Sequence, residues 1–292
     1  MISIAVVSGK GGTGKTMFAG SIAHLLQNEG MYADCDVDAA NFGILLGIEI
    51  QRTMPFFGSS KATIDPDLCT GCGLCMENCR FGAIIKQDVN TFAVDSLRCE
   101  GCNVCVYVCP ENAVLFKSYQ NGILLLSKTR YGGPLSHAEL YPGSGVSGLL
   151  VSDVKKQAQN EIGNQRITMA DGPPGIGCPV ISTLIGVTIC IIVTEPTISG
   201  LHDLKRILEI INTDICKPII VINRSDLDPI RTEEIISWCS ERNILVAGCI
   251  PYDPAVIDAV RKEIPVVSIE SSTGDAIRTI WDTIKHEIEY GG

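Results

Sequence analysis

The chain has 292 residues, with Lys plus Arg 23 against Asp plus Glu 33, a net charge of −10. That balance argues against nucleic acid as a partner, because phosphates need a basic face, and against an electrostatic hold on anionic lipid. Apolar residues make up 46 %, enough for a sizeable core, yet no apolar run approaches the ~20 residues that cross a bilayer and no basic stretch precedes the first one, so neither a stable membrane anchor nor an export leader is expected.

The first predicted strand is Ile2–Ser8, a continuous apolar run of the kind buried on both faces of a parallel sheet. Gly9-Lys10-Gly11-Gly12-Thr13-Gly14-Lys15-Thr16 follows and fits G-x-x-x-x-G-K-[ST]. A helix over Lys15–Asn28, with Phe18, Ile22, Leu25 and Leu26 on its apolar face, completes the strand–loop–helix context that makes the match specific. Glycines there let backbone N–H groups close around phosphate oxygens at a helix N-terminus. Lys15 is expected to reach the β- and γ-phosphates and the Thr16 hydroxyl to ligate Mg²⁺. A second strand leads into Asp34-Cys35-Asp36-Val37-Asp38, where a carboxylate can orient the attacking water or hold Mg²⁺ through water.

The cysteines come next. Eight of fourteen fall between Cys69 and Cys109, and they form a repeat: Cys69, Cys72, Cys75 and Cys79 recur as Cys99, Cys102, Cys105 and Cys109, each displaced by 30, with Gly71 and Ala83 recurring as Gly101 and Ala113. Disulfide-dense scaffolds are short and secreted, so this composition points instead to metal-holding thiols in a reducing cytoplasm. C-x2-C-x2-C-x3-C twice, with Pro110 after the second run, resembles bacterial ferredoxins. Zinc ribbons use pairs, not triplets plus one. The resemblance implies two 4Fe–4S clusters, one on Cys69, Cys72, Cys75 and Cys109, the other on Cys99, Cys102, Cys105 and Cys79. Arg80 stands where a proline would follow the first run, placing a cation near one cluster.

Beyond the block, residues 127–150 are rich in Gly, Ser and Pro and read as loop and short helix. Strands are predicted at Ile167–Ala170, Val187–Val193, Pro218–Ile222 and Leu245–Ile250, with Pro265–Ser268 a short further one. Helical patterns lie at Leu201–Ile211, Thr232–Arg242, Pro254–Arg261 and Thr273–Ile288. The alternation predicts an α/β fold, a doubly wound and mostly parallel sheet with ligands at the strands' carboxyl ends. The expected organisation is a discontinuous domain, 1–60 and 118–292, with an α+β ferredoxin-like domain inserted at 61–117. In the last helix, Ile277, Ile280, Trp281, Ile284 and Ile288 form an apolar stripe without the basic face of a membrane helix, so it reads as a docking helix.

Lys10, at the start of the glycine loop, resembles the second lysine of the MinD/Mrp/ParA ATPases, a group that includes the nitrogenase iron protein. In that group the lysine reaches across a dimer to the partner's nucleotide. The resemblance implies an ATPase that forms a homodimer, or a heterodimer with a paralogue. It assigns Asp36 to switch I, with Asp38 as the alternative. It makes Asp171-Gly172-Pro173-Pro174-Gly175 switch II, with Asp171 in the outer shell of Mg²⁺ and the Gly175 N–H at the γ-phosphate. Asn223, at the end of a strand, matches the adenine-recognising Asn. Lys10, Lys15, Asp36 and Asp171 are therefore the expected catalytic residues.

Outside the repeat no C-x-x-C pair exists, unlike the Mrp-type cluster carriers. Cys190 and Cys249 read as packed core thiols. Cys178 stands seven residues after Asp171, the offset of the nitrogenase iron protein's shared-cluster ligand. The Gly-rich loop Pro142–Gly148, matching that protein's other ligand loop, carries no cysteine. Cys178 therefore reads as a thiol packed beside switch II, with a labile interface metal site as the alternative. The leading functional expectation is a nucleotide-driven dimer that passes electrons through two clusters to a protein partner. Cluster or metal delivery to a client protein and redox-sensing regulation are the alternatives.

Overall fold

A computed structural model describes residues 2–88 and 90–290. Its strands are β1 Ile2–Ser8, β2 Gly30–Asp34, β3 Glu49–Phe56, β4 Ser59–Ile64, β5 Ile84–Asp88, β6 Thr91–Val94, β7 Val114–Tyr119, β8 Gly122–Lys128, β9 Pro134–Leu140, β10 Ile167–Pro174, β11 Ile189–Thr194, β12 Lys217–Asn223 and β13 Leu245–Ile250. Its helices are α1 Lys15–Leu26, α2 Phe42–Leu46, α3 Leu74–Glu77, α4 Val104–Tyr107, α5 Ser147–Asn160, α6 Cys178–Leu184, α7 Ile198–Ile210, α8 Pro229–Ser240, α9 Ala255–Arg261 and α10 Ser272–Tyr290. The chain divides into two units, Met1–Thr53 with Leu124–Glu139 and Ser147–Gly292, and Met54–Ile123 with Leu140–Val146. The second is wider than the 61–117 read from the sequence and takes in a separate short segment.

The first unit is built on a sheet ordered β13-β12-β11-β1-β10-β2-β9-β8-β3. The pairs from β13 through β9 are parallel. Apolar runs form these strands because both faces are covered: Ile4, Val6, Ile191, Val193, Ile219 and Val221 are fully buried. α1 packs Phe18 and Ile22 onto this core, and α10 packs Ile277, Ile280, Trp281 and Ile284 onto it, as expected of a docking helix. Among the described residues no helix is long and apolar enough to cross a membrane.

Two expectations need correction. Pro265–Ser268 is not a strand; Val266–Ser268 makes a 3-10 turn that buries Val266 and Val267. The 127–150 stretch is not mainly loop, because it holds the end of β8, all of β9 and the start of α5. The strand β9 was disguised by polar residues that fold inward. Ser136 Oγ donates to Val154 O at 2.8 Å and contacts Gln157 Oε1 at 2.7 Å, while His137 Nε2 lies 2.8 Å from Ser127 Oγ.

The second unit contains two antiparallel ribbons, β4–β7 and β5–β6, joined through the single-turn helices α3 and α4. The sequence repeat is repeated in hydrogen bonds. Asp65 N donates to Ala113 O at 2.8 Å, and Asp95 N to Ala83 O at 2.7 Å. Cys69 N donates to Asp65 O and Cys99 N to Asp95 O. The two halves thus bind each other crosswise around a shared core of Ala62, Ile84, Phe92 and Val114.

Candidate functional site

The glycine loop joins β1 to α1 and lies at the carboxyl end of the sheet. Gly14 precedes the helix with φ +89, a left-handed conformation that disfavours a side chain, and a Cβ there would stand 2.3 Å from Asn223 Nδ2. At the other end of the loop, a Cβ on Gly9 would meet Asp203 Cβ at 2.2 Å. Lys15 Nζ sits inside the loop, 2.9 Å from Asp171 Oδ1, 3.2 Å from Thr16 Oγ1 and 3.9 Å from Asp36 Oδ2. Burial alone would lower the Lys15 pKa, but Asp171, Asp36 and Asp34 together hold it above the ordinary lysine value. The Thr13 hydroxyl is buried without a hydrogen-bond partner among the described residues. A buried polar group left in this way is costly unless a ligand meets it.

The acidic segment after β2 divides its labour. Asp34 is buried and structural: Oδ1 accepts from Asp36 N at 3.1 Å and Oδ2 from Phe42 N at 3.2 Å. Burial pushes its carboxyl well up, the Asp171 charge adds to this, and the two N–H groups and Lys15 oppose it. Asp36 faces the loop, where burial raises its pKa and Lys15 works against that.

The 171–175 segment, expected to be switch II, is not a free loop here. β10 runs on through Asp171 to Pro174, pairing Val6 with Asp171 and Ser8 with Pro174, and Cys35 N donates to Asp171 O at 2.8 Å. The strand predicted to end at Ala170 runs on through two prolines, which sit where the ladder with β1 becomes irregular. Gly175 N, expected at a phosphate, donates to Ser8 O at 2.8 Å.

Asn223 ends β12 and donates from Nδ2 to Thr13 O at 2.8 Å, while its Oδ1 accepts from Arg224 N at 3.0 Å. It therefore braces the loop. Lys10 points away from the loop interior: its Nζ lies 3.2 Å from Glu195 Oε2, 3.2 Å from Ser199 Oγ and 3.4 Å from Thr197 Oγ1. Glu195, Arg224 and Ser199 were not singled out in the sequence. Glu195 follows β11 and Arg224 follows β12, so the rule that ligands gather at the carboxyl ends of strands would have found both.

The cysteines of the second unit line two hollows. One is lined by Cys69, Cys72, Cys75 and Cys109, the other by Cys99, Cys102, Cys105 and Cys79. Each triplet thus shares its hollow with the fourth cysteine of the other run. Ala83 N donates to Cys79 Sγ at 3.4 Å and Ala113 N to Cys109 Sγ at 3.3 Å, again as a repeat. Burial raises the Cys75 pKa, and Cys69 and Cys72 add to it; burial acts likewise on Cys105, with Cys99 and Cys102. Among the described residues no three Cys, His, Asp or Glu side chains converge as ligands of a single metal ion. Each hollow is lined by four thiols, the number of donors a four-iron cubane takes, one on each iron.

Outside the hollows, Cys190 is buried as expected, whereas Cys249 is only half-buried. Cys178 is exposed, not packed as the sequence reading held, because it opens α6 with its Cβ facing Gly148.

The CobQ/CobB/MinD/ParA nucleotide-binding domain matches residues 4–266. The chain belongs to this family. An uncharacterized protein of Methanocaldococcus jannaschii is 29 % identical over 99 % of this chain and 98 % of its own. Among solved structures, the septum site-determining protein MinD of Pyrococcus horikoshii, complexed with Mg-ADP, has a TM-score of 0.58 at 17 % identity, covering 97 % of this chain and 95 % of that one. The MinC:MinD cell division complex of Aquifex aeolicus gives a TM-score of 0.57 at 18 % identity, covering 99 % and 96 %. The parallel sheet and glycine loop described above lie within the nucleotide-binding domain of this family, whose match includes Lys15, Asp36 and Asp171.

Proposed function

We propose that the chain is an ATP-hydrolysing dimer switch that governs electron transfer from an inserted ferredoxin-like domain to a protein partner. The observation that carries this reading is the Lys15 ammonium held between Asp171 and Asp36 at the mouth of the loop, beside the partnerless Thr13 hydroxyl. A γ-phosphate would exchange for the carboxylates as partner of Lys15, releasing Asp171 toward the outer shell of Mg²⁺ and Asp36 toward the attacking water. Thr16 would ligate the metal. Backbone N–H groups of Gly9, Gly11, Gly12, Thr13 and Gly14 would cradle the phosphates, and Asn223 would brace them and meet the base. For Gly175 N to reach the γ-phosphate it must leave Ser8 O, which gives switch II two discrete positions. Lys10 would leave Glu195 and cross to the nucleotide of the other subunit.

The two hollows would each hold a 4Fe–4S cluster, Cys69, Cys72, Cys75 and Cys109 holding one and Cys99, Cys102, Cys105 and Cys79 the other. When bound, such clusters supply one-electron storage over a wide range of potentials. The chain's own part is to set their surroundings: the Ala83 and Ala113 N–H groups donate to Cys79 Sγ and Cys109 Sγ, and an apolar core lies between the hollows. The partner proposed is a redox protein in a reducing cytoplasm. Delivery of a cluster to a client is a second reading, favoured by the exposed Cys178. Two measurements test the proposal: hydrolysis of ATP in parent and Lys15→Ala protein, and iron content after oxygen-free purification. ATPase activity lost in the variant, with two four-iron clusters per chain, supports it; iron-free protein with intact folding overturns the redox half.

A further inference from the structure

The second unit has a further cavity whose lining contains none of the cysteines. It occupies about 450 Å³ between the two ribbons, with Ile64, Phe92, Val94 and Tyr119 among its walls and, among the described residues, no Asp or Glu in its lining. Two lysines do line it, Lys61 and Lys117. They are direct partners across the β4–β7 ribbon, so their side chains stand on the same face, where two like charges repel. Lys61 is only 7 % exposed, and its ammonium lies 4.2 Å from the centroid of the Tyr119 ring and donates to Ser96 O. Those contacts satisfy donors and none neutralises the charge. Among the described residues neither lysine has a carboxylate within ion-pair distance. A buried cation without a counter-ion is costly, and a second lysine opposite it increases the cost.

We propose that this cavity is a binding site for a small organic carboxylate. The carboxylate would meet Lys61 and Lys117, and an apolar body would lie against Phe92, Val94 and Tyr119. The volume falls in the range of small-molecule sites, and the mixture of apolar walls with a few fixed polar groups is what such sites use. The ribbon also places the site well. Lys61, Lys117 and Tyr119 lie on one face of β4–β7, whereas Ala62 and Phe116 line one cysteine hollow and Ile64 and Val114 line the other. The cavity shares Ile64 and Phe92 with one hollow and Ala62 and Val94 with the other, so a bound anion would sit beside both and disfavour the electron-rich state of whatever they hold. That consequence rests on the cluster reading; the binding does not.

Equilibrium dialysis of the intact protein against radiolabelled benzoate tests the proposal. The expected result is one saturable site per chain, weakened about tenfold or more in Lys61→Met and several-fold in Lys117→Gln, and unchanged in Lys15→Ala. Neutral benzamide should not compete, and inorganic phosphate should compete only at far higher concentration. If Lys61→Met does not fold, the exposed Lys117→Gln carries the comparison alone. Absence of saturable binding, equal binding in the lysine variants, or competition by benzamide as strong as by benzoate overturns the proposal. Phosphate competing as well as benzoate would overturn the organic class of the ligand.

Discussion

Glu195 is shared by two cations: Lys10 Nζ lies 3.2 Å from its Oε2 and Arg224 Nη1 2.6 Å from its Oε1. The Glu195 side chain is 10 % exposed, so its charge is held in place, while Lys10 at 33 % keeps access to solvent. In the proposed switch this pair holds Lys10 within its own subunit and competes with its crossing to the other. Glu195→Gln should therefore strengthen ATP-dependent dimerisation. A partly exposed pair is worth about 0.2–1 kcal/mol and the dimer breaks two of them, so the gain should be at most about thirtyfold in dimer affinity. Sedimentation with and without ATP checks this, with Lys10→Ala expected to abolish the nucleotide effect. Weaker dimerisation in Glu195→Gln would show that the contact supports the dimer.

The brace made by Asn223 separates two roles that the resemblance merges into one. Its Nδ2 holds Thr13 O at 2.8 Å, so it acts on the loop as well as on any base. Asn223→Ala should weaken inorganic tripolyphosphate binding along with ATP, by about tenfold, the cost of roughly 1–3 kcal/mol for stranding a buried polar group. Calorimetric titration with both ligands decides between the roles. A pure base reader would leave tripolyphosphate binding unchanged.

The exchange of fourth cysteines between the runs gives a crossed prediction. Cys109→Ser should empty the hollow of Cys69, Cys72 and Cys75 and leave that of Cys99, Cys102 and Cys105 filled, halving the bound iron. Cys79→Ser should do the reverse. Iron analysis gives the halving, and EPR of each variant should retain a different one of the two signals. Uncrossed ligation would instead couple Cys109 to its own triplet.

His137 makes part of the stability depend on pH. It is 7 % exposed, and burial pushes its imidazole down to about 4. In the unfolded chain it titrates near 6.5. Between those values the unfolded state binds a proton that the folded state does not, so stability is lost as pH falls from about 6.5 toward 4. At pH 5 the loss is about 2 kcal/mol, from 1.36 kcal/mol per unit. Urea midpoints at pH 7 and 5 should differ less in His137→Gln than in the parent.

Sequence and structure agree most where one physical signal acts alone. β1 and β13 begin and end where their apolar runs do; in β1, burial of Ile4 through Ser8 leaves no alternation to misread. β9 was missed because Ser136 and His137 are buried with internal partners, and inward polar residues erase the pattern that marks a strand. β3 was missed for the opposite reason: at the sheet edge, Glu49 through Thr53 are exposed and carry no apolar run. At the nucleotide loop, spacing marked Lys15 and the resemblance supplied Asp36 and Asp171, and the fold brings the three together. Spacing could not show that Asp171 to Pro174 remain in the sheet, since that depends on pairing with Ser8, far away in sequence. The pairing of Cys109 with the first triplet was legible through the resemblance, and the 30-residue repeat of backbone contacts supplies its physical basis. Lys61 and Lys117 gave no signal, because only the strand register sets them opposite each other.

The central claim is that nucleotide at the Lys15 loop acts on the redox groups held by the cysteines. A redox titration followed by EPR, without oxygen, with and without MgATP and beside Lys15→Ala protein, tests it most directly. A typical coupling of about 1–3 kcal/mol corresponds to roughly 40–130 mV for one electron. The account predicts a shift of that order in the parent and none in Lys15→Ala. Superimposable titrations in both proteins would contradict it.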